Sequence, residues 1–177
     1  SGAKLALSTH LEIRKSLEID GSSLAQGITL QAGTSSRVFH VTGDHQVALK
    51  RLTLEGGRPD ADGGGVYQEG GTLSLDACLI TDCHSGSQGR GGGIFLKSGS
   101  LEVSASTVSD CSAGLGGGGV AMESGTTQLS QCTLAGNSAG QNQNGGGILL
   151  EAGTLSVARC TISMNKAESG SGGGIFN

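Results

Sequence analysis

The residues of this chain with chemistry to offer are five cysteines, Cys78, Cys83, Cys111, Cys132 and Cys160, and a scattering of carboxylates. No CxxC pair occurs, so the spacing that metal and redox sites use is missing, and His84 beside Cys83 is the sole His–Cys neighbour. Cys83 and Cys111 are separated by 28 residues, as are Cys132 and Cys160. Asp82 and Asp110 keep the same interval, and Glu123 and Glu151 do so again. Two carboxylates held a few ångströms apart could bind Ca2+ or cleave a sugar chain. Asp82 and Asp110 are therefore candidates for a cation site. Glu123 and Glu151 are candidates for catalysis or, alternatively, for the cation. Whether any of these pairs meet depends on the elements that carry them.

Those intervals belong to a ruler. Glycine triplets begin at Gly63, Gly91, Gly117, Gly145 and Gly172, spaced by 28, 26, 28 and 27 residues. Counting from each first glycine, position 4 reads Val66, Ile94, Val120, Ile148, Ile175, and position 11 reads Leu73, Leu101, Thr127, Leu155. Position 13 holds Leu75, Val103, Leu129, Val157, and position 18 holds Ile80, Val108, Leu134, Ile162. Polar residues separate these columns at period two, which predicts strands with one buried face. No i, i+3, i+4, i+7 pattern recurs, and glycine blocks would weaken a helix by about 1 kcal/mol per residue. Each coil then carries three short strands: one after the glycines ("GIFLK"), one after a Ser-Gly or Ala-Gly turn ("SLEVS") and one after a bend ("STVSD"). The glycines allow positive φ and close approach of neighbouring backbones at one corner.

The predicted fold is all-β: a right-handed parallel β-helix of about six coils, roughly 29 Å long at ~4.8 Å per coil. It forms one domain over residues 1–177, with irregular N-terminal coils in 1–62 and regular glycine-rich repeats in 63–177. In the first part "HQVALKRLTLEGG" keeps the ruler at Val47, Leu49, Leu52, Leu54 and Gly57. "HLEIRKSLEIDG" is set on the same positions through Leu11, Ile13, Leu17 and Ile19, with one extra residue at the bend. A longer loop is expected at "GGRPDAD".

On this ruler the cysteines fall in two inward columns. Position 16 holds Cys78, Ser106, Cys132 and Cys160; position 21 holds Cys83, Cys111, Asn137 and Asn165. Stacked free thiols are the expectation. Disulfides Cys83–Cys111 and Cys132–Cys160 are geometrically conceivable, but in-register side chains point the same way. Asn137 and Asn165 read as an inward amide ladder that satisfies backbone groups at a turn. Position 7, Glu69, Lys97, Glu123, Glu151, reads as alternating surface charge that pairs weakly from coil to coil. No Ser-His-Asp arrangement, P-loop or dinucleotide fingerprint is found, and no cofactor is expected beyond a Ca2+ at the carboxylate pairs.

Composition narrows the function classes. The chain has 34 glycines, one proline, no tryptophan and four aromatics among 177 residues, so its core must be built from Val, Leu, Ile, Ala and Cys. Net charge is −4. Residues 1–62 balance at seven positive and seven negative, leaving four against eight in 63–177. Without clustered positive charge nucleic acid is a poor partner, and no apolar run is long enough to span a membrane.

The run "DGGGVYQEGGTLSLDACLITDC", followed by "GGGI", "GTL" and "CTIS", resembles bacterial right-handed parallel β-helix proteins of the pectin-lyase-like class. More narrowly it is similar to the polymorphic outer-membrane-protein repeats of autotransporter passengers and secreted surface proteins. Where such repeats carry an aromatic residue this chain has Ile80, Val108, Leu134 and Ile162. The resemblance implies an extracellular location or the outer cell surface of a bacterium, and a non-catalytic role as an adhesin-like or structural shaft. Its partners would be a surface glycan or protein of a host or neighbouring cell. The alternative is a polysaccharide lyase or hydrolase with its site on the first-strand face, although the Asn-Thr-Asp, Asp-Asp, His-Gly and Arg-x-Lys stretches of polygalacturonase-like enzymes are not found. Strand-like alternation begins almost at once and "GGGIFN" lies inside a further coil. The expectation is a segment of a longer helix or, as a second alternative, a subunit that self-associates end to end into a fibre.

Overall fold

The computed structural model describes residues 2–25 and 27–177. The chain winds into a parallel solenoid, and among the described residues there is no helix, hence none long and apolar enough to cross a membrane. Three sheets run its length. The first holds Leu11–Ile13 and Phe39–Val41, then the strands that follow the glycine triplets: Val66–Gln68, Ile94–Leu96, Val120–Met122, Ile148–Leu150 and Ile175–Phe176. The second holds Leu17–Asp20, Gln46–Lys50, Thr72–Asp76, Ser100–Ser104, Thr126–Ser130 and Thr154–Ala158. The third holds Ala3–Ala6, Ile28–Gln31, Leu52–Glu55, Leu79–Thr81, Thr107–Ser109, Thr133–Ala135 and Thr161–Ser163. A fourth, short sheet joins Ser112–Ala113, Ser138–Ala139 and Lys166–Ala167.

Pairing is parallel and follows the columns read from the sequence. Val66 pairs with Ile94, Ile94 with Val120, Val120 with Ile148 and Ile148 with Ile175. Leu54, Ile80, Val108, Leu134 and Ile162 stack in the same way on the third sheet. These columns build one core along the axis, with Leu49, Leu54, Leu73, Leu75, Ile80, Ile94 and Leu101 fully buried. Solenoid stacking supplies both requirements of a β-chain at once, since every strand lends its backbone groups to the next coil while its inward side chains stay dry.

Two of the bends in the coils from Arg51 onward turn on a single left-handed residue each. Arg51, Ala77, Ala105, Gln131 and Arg159 (φ 46° to 56°) lie between the second and third strands. Gly56, Asp82, Asp110, Gly136 and Met164 (φ 51° to 73°) follow the third strand. A non-glycine residue in this conformation costs about 1–2 kcal/mol. Cross-coil pairing carried straight through the bend, as in Thr107 N–H to Cys78 O (2.9 Å) and Thr133 N–H to Ser106 O (2.9 Å), holds it there. The glycine triplet divides its work. Gly91 has φ 63°, whereas on Gly92 a Cβ would run into the carbonyl of Ser112.

Three expectations need correction. Leu11 and Ile13 lie in the first sheet and Leu17 and Ile19 in the second, one sheet earlier than the ruler set them, as shown by Leu11 pairing Phe39 and Leu17 pairing Val47. Two apolar residues at i, i+2 on either side of a short bend look alike at every corner, so alternation alone leaves the phase of a coil open. The segment 56–65 joining Leu52–Glu55 to Val66–Gln68 is also no longer than 82–93, which makes the same connection one coil on. Finally, the middle of the first sheet is buried on both faces: Phe95 and Ala121 are 1% exposed and Leu149 7%, although all three point away from the main core. The connecting loops fold back over them.

Candidate functional site

The first-sheet face carries Glu123 and Glu151 just after Val120–Met122 and Ile148–Leu150, in adjacent coils. What organises them is Arg90, from the loop before Ile94–Leu96. Its guanidinium lies 2.8 Å from Glu123 Oε2, 2.6 Å from Glu151 Oε2 and 3.3 Å from Asp62 Oδ2. Its backbone N–H also donates to Asp62 Oδ1 at 2.7 Å, and its plane lies over the Phe95 ring at 4.6 Å. One cation thus joins three carboxylates contributed by separate coils. Burial works against the charge of Arg90, but the hydrogen bonds it donates to Asp62 and Glu123 outweigh it and hold the guanidinium pKa above its ordinary value.

The expected alternation along position 7 is not how these charges pair. Lys97 makes no ion pair among the described residues, and Glu69 Oε1 lies 3.3 Å from His40 Nε2. Glu123 turns to Arg90 instead. Sequence reasoning missed Arg90, because a loop residue has no place in a strand column. It also missed the outward ladder beneath, in which His40, Tyr67 and Phe95 follow one another at centroid separations of 5.0 and 5.4 Å. Ala121, Leu149 and Phe176 continue it in register. Arg37 covers Tyr67 at 5.0 Å as Arg90 covers Phe95. Position 5 of the ruler did contain this signal.

At the corner after the third sheet the inward column is laid out as a ladder. Asn137 Oδ1 accepts from the Cys111 N–H (3.0 Å), and Asn137 Nδ2 donates to Val108 O (3.0 Å) and Asn165 Oδ1 (2.9 Å). Asn165 Oδ1 accepts from the Asn137 N–H (3.0 Å), while its Nδ2 donates to Leu134 O (2.8 Å). Cys83 and Cys111 occupy the same slot in the two preceding coils as buried free thiols. At the other bend Cys78, Cys132 and Cys160 are free as well. The Cys78 N–H donates to Ser106 Oγ at 2.9 Å and the Cys132 N–H to Cys160 Sγ at 3.3 Å. Burial raises the Cys78 and Cys132 thiol pKa values, as expected for small packed side chains rather than nucleophiles.

Asp82 and Asp110 sit side by side at left-handed bends, and their side chains face outward. Asp82 is already engaged. Arg58 donates to its Oδ1 and Oδ2 (2.9 and 3.1 Å), and His84 Nε2 lies 3.0 Å from Oδ1. The other ring nitrogen of His84, Nδ1, is 2.5 Å from Ser112 Oγ in the next coil. Contrary to the sequence reading, an Asp-His-Ser arrangement therefore exists. Its members come from two coils and from both sides of a bend, which is why no local motif announces it. Among the described residues no three His, Cys, Asp or Glu side chains converge as ligands for one metal ion.

The sequence profile of the family described as "Right handed beta helix region" matches residues 16–177. Neither the search of curated proteins nor that of solved structures finds a match.

Proposed function

The chain belongs to the right-handed β-helix family, and from that premise we propose that it works as a rigid shaft, adhesin-like or structural, and not as a glycan lyase or hydrolase acting from its first-sheet face. The observation that carries this is the position of Arg90. Its guanidinium occupies Oε2 of both Glu123 and Glu151, and so stands where a glycosidic oxygen or an attacking water would have to sit between a pair of catalytic carboxyls. The aromatic ladder that could have stacked on sugar rings is likewise covered, at Tyr67 by Arg37 and at Phe95 by Arg90.

In this reading the repeats are of the pectin-lyase-like, autotransporter-passenger style. The protein is displayed outside the cell or on the outer surface of a bacterium, and it engages a surface glycan or protein. Support comes from the outward rows of the second sheet, which are short and polar (Ser74, Glu102, Gln128, Ser156), and from the register that runs unbroken from coil to coil. Activity screening on acidic and neutral polysaccharides is the test. No turnover above buffer is expected; turnover that disappears in both Glu123→Gln and Glu151→Gln would replace the shaft with an enzyme.

A further inference from the structure

We propose that Ser112 is an activated nucleophile that accepts acyl groups from short-chain esters, with His84 as its base and Asp82 orienting the imidazole. This goes beyond the shaft reading and rests on a different corner of the coil. A hydroxyl becomes nucleophilic when a base accepts its proton and a third group fixes that base. Both conditions are met here. Asp82 Oδ1 lies 3.0 Å from His84 Nε2, and His84 Nδ1 lies 2.5 Å from Ser112 Oγ. With a carboxylate on Nε2, the ring proton belongs on that nitrogen, which leaves the Nδ1 lone pair facing the hydroxyl. Arg58, bonded to both Asp82 oxygens, keeps the carboxylate from swinging away. The hydrogen bond from His84 and the nearby Arg58 charge both hold the Asp82 pKa below its ordinary value, so it remains an acceptor at neutral pH.

The backbone fixes the reacting partners. The His84 N–H donates to Gly57 O (2.7 Å), the Ser112 N–H to Cys83 O (3.0 Å), and His84 and Ser112 form a parallel bridge. On the far side of Ser112 the register continues to Ser138 and then Lys166. Ser112 is thus flanked by a base on one side and, about one strand spacing (~4.8 Å) away, by a hydroxyl that can donate to a developing oxyanion on the other. Ser112 and His84 are partly exposed and Asp82 is exposed, so an ester carried on an extended molecule can reach them.

In the first step Ser112 Oγ bonds to the ester carbonyl carbon and its proton passes to His84 Nδ1. The carbon–alkoxy bond then breaks, and the leaving alcohol takes that proton. Water attacks the acyl-serine, giving a proton to His84, which returns it to Ser112 Oγ as the carboxylic acid departs. The test is reaction of the whole chain with a fluorophosphonate probe, mapping of the adduct by peptide mass spectrometry, and hydrolysis of p-nitrophenyl acetate. The expected adduct is on Ser112, with no adduct at that peptide in Ser112→Ala. A loss of roughly 100-fold or more in labelling rate is expected in His84→Gln, the scale of a removed general base. Wild-type protein that leaves Ser112 unlabelled overturns the proposal whatever the variants do. So does a His84→Gln protein that keeps the wild-type circular dichroism and still labels at the wild-type rate. Neither result bears on the glycan screen.

Discussion

Asn137 shows what a single inward residue does for a bend of this helix. Its amide is fully buried and makes bonds to the Cys111 N–H, Val108 O and Asn165 Oδ1. Truncation to alanine would strand the Cys111 N–H and a carbonyl in the dry interior, and each buried orphan costs about 1–3 kcal/mol. Asn137→Ala should therefore lose roughly 2–4 kcal/mol, read as a lower urea midpoint at unchanged slope. Gln128→Ala, on the outward face of the second sheet, should stay within about 0.5 kcal/mol of the parent. The two cysteines in the preceding coils use the same slot differently. Each thiol faces a carbonyl, Cys111 Sγ to Ser109 O at 3.1 Å and Cys83 Sγ to Thr81 O at 3.3 Å.

Among the elements, the first sheet departs furthest from an ordinary half-exposed β-face, because its outer side is roofed by loops. Arg90 fastens that roof. It stacks on Phe95 and ties Asp62, Glu123 and Glu151 from three other turns of the chain. Arg90→Ala leaves three like charges facing one another and opens the apolar ladder to water. A fall of about 1–3 kcal/mol is expected, less than for a fully buried pair because Glu123 and Glu151 remain well solvated. The diagnostic readout is salt. Added NaCl should raise the melting temperature of Arg90→Ala by screening the repulsion, and leave the parent unmoved or slightly lowered. Arg90→Lys should recover only part of the loss, since an ammonium cannot serve several carboxylates and lie flat on a ring together.

At the scale of the whole molecule, strands pair only with those of adjacent coils, with Arg90 reaching past one coil to Glu151, so stability is close to a sum over coils and their interfaces. Deleting 117–144 removes one repeat and brings Gly145 into the place of Gly117. That variant should fold with the same strand-dominated circular dichroism and unfold cooperatively at a lower temperature. Deleting 117–130 removes about half a coil, brings the third-sheet strand Thr133–Ala135 to the place of the first-sheet strand Val120–Met122, and leaves Gln141 and Gln143 in the inward places of Thr127 and Leu129. It should fail to fold, because the apolar columns no longer meet. A folded half-coil variant would mean that the columns do not set the register.

Periodicity carried most of the architecture into the sequence. Val66, Ile94, Val120 and Ile148 recur at the repeat length because a parallel stack places like residues on like residues, and a core built this way can be read from a single chain. The ladder slot of Asn137 and Asn165 is legible for the same reason. Less was legible where two corners share one pattern, as with Leu11 and Ile13, whose sheet was decided only by pairing with Phe39 and Val41. Contacts that cross coils through loops and bends lay outside the pattern altogether. Arg90 meets Glu151 across 61 residues, and Asp82 reaches His84 and Arg58 from a left-handed bend that points its side chain along the surface. Strand alternation determines which residues go inside. Where an outward side chain finds its partner depends on how each loop folds back over the sheet, and only the tertiary structure decides that.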